Sequence, residues 1–276
     1  MYPETILPIV AHIPHAGTEI PDAVRDQFLH YPGELWREVA MVTDWYTDEL
    51  FGIPGIAVTQ TPISRVVVDL ERYANDNEEP NAAFGQGVIY THNTLGERIR
   101  RKLSPQERWL LLDSYYRPWH LQLKLNIEQQ LAHWGHSLLL DCHSFPDKPF
   151  GHEDDGGMPR PDICVGSSSH NTPLWLLERC MEQFRNRGYS VSIDFPYAGC
   201  LVPNRFLGDP RVPAIMLEIN RGLYLKPASR DVYRLGNVPL KLARFDMIRN
   251  DIWSIVLSLA HEMACRVAGP ESAALN

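Results

Sequence analysis

Short apolar runs alternate along the chain with longer amphipathic stretches, and their lengths set the predicted elements. Ile6 to Ile13 reads as a strand; Pro14 cannot continue its ladder, and Gly17 permits a tight turn just beyond. From Leu35 to Phe51 the residues Trp36, Val39, Ala40, Trp45 and Leu50 recur at helical spacing, with Asp44 and Asp48 one turn apart on one face. Gly52, Pro54 and Gly55 end that helix, and Ile56 to Thr61 and Arg65 to Leu70 then read as two strands. Ser104-Pro105-Gln106-Glu107 combines an N-cap serine, a proline at the first helical position and a glutamate three on from the serine. It predicts a helix running to Gly135 with a kink at Pro118.

Ser137 to Pro146 begins as an unbroken apolar run, long enough for a buried strand, and stops in Asp141-Cys142-His143-Ser144. Pro146 to Pro161, rich in Gly, Pro and Asp, reads as a surface loop, and Ile163 to Gly166 as a short strand. Thr172-Pro173 opens a helix that Gly188 closes, Tyr189 to Phe195 alternates like a strand, and Pro196 to Asp209 is irregular. Ala214 to Asn220 is a buried strand carrying one charge, Glu218, and Pro239 to Val267 is helical. This succession predicts an α/β fold: a single three-layer domain over residues 1–276, its central sheet mainly parallel or mixed, with helices on both faces.

Composition narrows the partners. The formal net charge of −8 and pI near 5.8 argue against nucleic acid or an anionic membrane. No run has the length of a membrane span, and Met1-Tyr2-Pro3-Glu4 lacks the plan of a signal peptide. Cys142, Cys164, Cys180, Cys200 and Cys265 are scattered without any Cys-x-x-Cys, as expected of reduced thiols in a cytoplasm. No heptad or apolar stripe declares an oligomeric state.

Ligands in α/β proteins bind at the carboxyl ends of strands. His15 and His143 follow such ends, and Asp44 supplies a carboxylate; a hydrolytic zinc site wants three N and O ligands and an open position for water. Glu19, four residues beyond His15, competes with Asp44 for the third position. Glu218 inside Ala-Ile-Met-Leu-Glu-Ile-Asn is costly unless paired, so a salt bridge with Arg221 or another arginine stands beside a catalytic role. Arg65, Arg72, Arg205 and Arg221 could grip a small dianion bidentately or form ordinary surface ion pairs.

His12, His92, His133, His136, His152, His170 and His261 read as surface or packing histidines. Cys142 and His143 point to opposite faces of their strand, which removes a Cys–His nucleophile pair. Ser144 lacks a Gly-x-Ser-x-Gly setting, and Gly85-Gln86-Gly87 follows no strand and lacks the third glycine of a phosphate loop.

Ile13-Pro14-His15-Ala16-Gly17, Thr43-Asp44-Trp45-Tyr46, Ser64-Arg65-Val66-Val67-Val68-Asp69-Leu70, Asp141-Cys142-His143-Ser144 and Glu218-Ile219-Asn220-Arg221 occur in an order that resembles the N-formylglutamate amidohydrolase (N-formylglutamate deformylase) family. Pro196-Tyr197-Ala198-Gly199 and Leu223-Tyr224 extend the likeness, which covers roughly Pro8 to Tyr224. The resemblance implies a zinc-carboxypeptidase-like (phosphorylase/hydrolase-like) fold and metal-dependent cleavage of N-formyl-L-glutamate to formate and L-glutamate, the last step of one histidine-degradation route. It implies His15 and His143 as ligands of Zn²⁺ or another divalent metal, with Asp44 as the third and Glu19 as the fallback. It further implies Glu218 as general base and Arg65 and Arg72, joined by Arg205, as the grip on a small anionic N-acyl amino acid. One position departs from the family pattern: Glu71 stands where the family usually has asparagine in Asp-Leu-Asn-Arg. A related amidohydrolase or peptidase acting on another N-acyl amino acid, or a non-catalytic carboxylate-binding domain, are the competing expectations.

Overall fold

The computed structural model describes residues 7–29, 32–151, 153–227, 233 and 236–268; Ile6 and His152 therefore lie outside the described residues. The strands are β1 (Ile9–Ile13), β2 (Ala57–Gln60), β3 (Leu138–Phe145), β4 (Ile163–Gly166), β5 (Val191–Ile193) and β6 (Ala214–Asn220). The helices are α1 (Gly33–Val42), α2 (Thr47–Leu50), α3 (Pro105–Leu111), α4 (Arg117–Trp134), α5 (Leu174–Asn186) and α6 (Phe245–Ala268). All six strands join one sheet in the order β2-β1-β3-β6-β4-β5, parallel throughout except where β4 runs against β6.

Side chains alternate across the sheet, so each strand feeds both of its faces. Ile9, Ala11, Leu138, Leu140, Cys142, Ile215 and Leu217 pack on one face against Phe184 of α5 and Ile252 and Leu259 of α6. Val10, Leu139 and Ala214 pack on the other against Val39 of α1 and Leu123 and Ile127 of α4. The result is a three-layer α/β arrangement. On the second face the apolar series turns polar toward the carboxyl ends: His12 follows Val10, Asp141 and His143 follow Leu139, and Glu218 comes last. The register sets His12 beside Asp141 and His143 beside Glu218.

Five predicted elements come out differently. The helix expected over Leu35–Phe51 ends at Val42, because Thr43 turns extended (φ −70°, ψ 135°) and Tyr46 is left-handed (φ 63°). The Thr43 hydroxyl donates to Val39 O at 2.7 Å and the Trp45 indole to Ala40 O at 2.8 Å, which occupies the carbonyls of the last turn. Asp44 thus sits in the break instead of on a helix face, and its N–H donates to His15 O at 3.0 Å. The segment Arg65–Leu70 is not a strand. The buried Arg100 guanidinium donates to Val66 O and Val67 O at 3.0 and 3.2 Å, taking up carbonyls that a neighbouring strand would otherwise use.

The long helix after the Ser104 capping box divides into α3 and α4 through a π-helical turn at Leu112–Tyr116, just ahead of Pro118. Finally, β5 has 3 residues because Asp194 (φ 50°) turns the chain out of the sheet, and α6 begins at Phe245 instead of Pro239.

Candidate active site

A cleft of about 450 Å³ opens over the carboxyl ends of the central strands, lined by His15, Asp44, Glu71, His143, Glu218 and Arg221 among others. His15 stands on the loop after β1, Asp44 in the break after α1, His143 near the end of β3 and Glu218 on β6. His15 Nε2 lies 2.9 Å from Asp69 Oδ1 and His143 Nε2 lies 2.9 Å from Asp141 Oδ1. An ionised carboxylate only accepts, so each imidazole carries a proton on Nε2; His143 Nδ1, 3.1 Å from the Asp44 carboxylate, carries a second one that a bound cation would displace. Both Nδ1 atoms converge on Asp44 Oδ2, at 3.7 Å for His15 and 3.1 Å for His143.

The buried His15 Nδ1 has no hydrogen-bond partner. These ligand atoms all lie within 4.8 Å of one another, and two nitrogens with a carboxylate oxygen are a donor set that fits a divalent metal ion. Histidine ligands held from behind by carboxylates are the usual arrangement around such ions.

His12, Glu71, Asp141 and His143 also cluster closely enough to hold an ion. The atoms that face one another are already paired: His12 Nδ1 lies 2.6 Å from Asp141 Oδ1, and His143 Nε2 lies 3.0 Å from Glu71 Oε1. Neither His12 nor Asp141 lines the cleft, so this group backs the first one.

Burial pushes the Asp44 carboxyl up, but hydrogen bonds to His143 and His15 and the charges of His15 and Arg221 outweigh it and hold Asp44 below the usual range. Burial likewise opposes ionisation of Asp69 and Asp141, and interactions with neighbours outweigh it, with Arg65, His15 and Arg72 holding the first low and His143 and His12 the second. Burial disfavours the His143 imidazolium, yet Glu71 and Asp141 raise it overall, and a bound cation would compete with that proton. Glu218 goes the opposite way. Burial, with the charges of Asp44 and Glu71, pushes it up to about 8 against the pull of His143 and Arg221. Its Oε2 is buried without a hydrogen-bond partner.

Residues 7–225 match the family model described as N-formylglutamate amidohydrolase. The chain belongs to the N-formylglutamate amidohydrolase family. Within it, the chain is 29% identical over 241 residues to an N-formylglutamate deformylase of Pseudomonas putida, covering 83% of this chain and 85% of that protein. An N-formylglutamate deformylase of Pseudomonas aeruginosa is 24% identical over 237 residues, with coverage of 83% and 86%. The crystal structure of N-formylglutamate amidohydrolase from Ralstonia eutropha JMP134 superimposes with a TM-score of 0.77 at 22% identity, over 95% of each chain. A gene product of Agrobacterium tumefaciens shares the fold with a TM-score of 0.60 at 15% identity, over 96% of this chain and 93% of the other. The chain is therefore an amide-bond hydrolase by family.

Among the residues singled out from the sequence, this amidohydrolase fold gathers His15, Asp44, His143, Glu218, Arg65 and Arg72 around one cleft. Glu19 is exposed and outside it. Arg205 is also exposed, on a short 3-10 turn (Asn204–Phe206), and does not line the cleft. The salt bridge considered between Glu218 and Arg221 is replaced by another: Arg221 Nη2 bonds Asp44 Oδ1 at 2.9 Å, and its remaining nitrogens bond Met41 O and Ser144. Arg65 donates twice to Asp69 Oδ2, at 2.9 and 2.8 Å, beside the Tyr90 hydroxyl at 3.1 Å.

Of the two readings of His12, surface or packing, the second fits: it is fully buried behind the cleft, against the Trp119 ring. Sequence reasoning also missed Asp69 and Asp141 as partners of the two imidazoles. The signal for Asp141 was present, because it lies two residues before His143 and so on the same face of β3.

Proposed function

We propose that the protein hydrolyses N-formyl-L-glutamate to formate and L-glutamate, with His15, Asp44 and His143 holding Zn²⁺ or another divalent ion. The observation that supports this best is the pair of imidazoles whose Nδ1 atoms converge on Asp44 Oδ2 beside the unpaired Glu218 oxygen. When bound, such an ion polarises the formyl carbonyl and acidifies a water, and its charge favours the ionised form of nearby Glu218. Glu218 takes the proton of the attacking water and hands it to the glutamate nitrogen as the C–N bond breaks. Asp69 and Asp141 keep both imidazoles in the tautomer that presents Nδ1, and Arg221 fixes the rotamer of Asp44. Arg65 and Arg72 face the cleft and orient the substrate carboxylates, which supplies the positional part of the rate enhancement.

On this reading residues 1–276 form one metallohydrolase domain, which the single sheet supports. The reaction is then the last step of one histidine-degradation route, in a cytoplasm for which five free cysteines argue. Replacing Glu218→Gln tests the assignment. Formate release should fall by roughly 10²–10⁴-fold while metal content and fold persist; near-normal turnover would remove Glu218 from the reaction.

The volume of the cleft, about 450 Å³, favours a second reading in which a bulkier N-acyl group is accepted. Comparing formyl-, acetyl- and succinyl-glutamate separates the two. A domain that only binds carboxylates would contain no tightly held metal on elemental analysis.

A further inference from the structure

Among the described residues that line the cleft, four present a buried polar atom without a hydrogen-bond partner: His15 Nδ1, Arg72 Nε, Gln86 Nε2 and Glu218 Oε2. Gln86 alone among them has no part in the mechanism above, although it is only 5% exposed. A buried amide donor is normally satisfied within the protein, and one left open toward a cleft is satisfied by what enters.

The backbone around Gln86 is fixed. Its N–H bonds Asn81 O at 3.0 Å, while the N–H groups of Thr91 and His92 bond Gly85 O at 2.8 and 3.2 Å. Gly85 adopts φ +72°, and a Cβ there would lie 2.2 Å from His92 Nδ1, so only glycine fits the turn that presents Gln86. The main chain that carries the amide is thus held in place, and neither N–H of Gln86 Nε2 is used within the protein.

Its position relative to the reaction centre is also defined. A second hollow of about 630 Å³ adjoins the cleft and shares Phe84, Gln86 and Thr94 with it, but none of His15, Asp44, His143 or Glu218. Gln86 therefore lines the part of the cleft that borders the second hollow, which none of those four reaches. In N-formylglutamate the group farthest from the scissile bond is the side-chain carboxylate. We propose that Gln86 donates its side-chain amide to that distal carboxylate and so is a specificity-determining residue. This rests on the reading of the substrate given above.

The test compares wild-type protein with Gln86→Leu on N-formyl-L-glutamate and on N-formyl-L-norvaline, which ends in a methyl group instead of the distal carboxylate. Gln86→Leu should raise KM for the first about tenfold or more, the cost of one hydrogen bond to a charged group, with kcat near the wild-type value. KM for the norvaline substrate should not change. An unchanged KM for N-formyl-L-glutamate, or an equal change on both substrates, overturns the assignment.

Should the leucine variant fail to fold, Gln86→Asn, which keeps the amide but shortens its reach, reads the same split. Absence of formate release from wild-type protein would sink the substrate reading alone. Gln86 is then judged by calorimetric titration with glutarate: binding about tenfold weaker in Gln86→Leu sustains its role. Equal binding, or none to wild-type protein, ends it.

Discussion

Two carboxylates behind the site do as much to define it as the residues facing the cleft. Asp141 Oδ1 lies 2.6 Å from His12 Nδ1 and 2.9 Å from His143 Nε2, and Oδ2 accepts Leu201 N–H at 2.7 Å. Asp141→Asn keeps the shape but puts a donor or a weaker acceptor behind His143. Metal affinity should fall about 10–100-fold in a chelator competition, with formate release recovering in excess metal.

His120 makes a different prediction. Burial, with the charge of His12 across from it, pushes it down from the ordinary 6.5 to about 4. It packs against the rings of Tyr116 and Trp119 and near the Leu70 backbone. Because the folded value lies below the unfolded one, this contribution to stability is complete above pH 6.5. It falls as pH drops from 6.5 toward 4 and is constant below that. Denaturant titrations at several pH values should show that decline in the wild type and less of it in His120→Gln.

At this scale the sequence was most informative where a charge interrupted an apolar run, as at Glu218 and His143. It was least informative for Asp69 and Glu71, whose segment looks like an ordinary strand and its polar exit.

Elements whose signals are local were readable in advance. Ser104 and Glu107 close the capping box expected of their spacing, and Gly135 ends α4 in the left-handed conformation. Ser104→Ala should cost about 1 kcal/mol in a melting or denaturant experiment without touching turnover, since neither Ser104 nor any residue of α3 lines the cleft. Elements decided by a distant side chain were not readable. Val66-Val67-Val68 has strong β propensity, but Arg100, 33 residues beyond Val67, takes its carbonyls. Arg100→Met should therefore loosen the loop that carries Asp69 and Glu71. Both thermal stability and turnover should drop, whereas Ser104→Ala affects only the first.

For the whole molecule, strand alternation was enough to anticipate a mainly parallel sheet covered on both sides. The strand order and the antiparallel β4 depend on long-range packing that a single sequence does not display. Side-chain alternation along β3 divides labour between the faces, with Leu140 and Cys142 in one core and His143 turned to the cleft, backed by Asp141. Leu140→Ala, at a fully buried position, should cost about 2–5 kcal/mol while leaving KM of the folded fraction unchanged.

The hydrogen bond from Asp44 N–H to His15 O ties two carboxylate and imidazole donors together through the main chain, independently of any ligand. Deuterium uptake at that one amide consequently reports whether the two halves of the centre have met. In a damaged variant it separates a centre that never assembled from one that assembled and lost its chemistry.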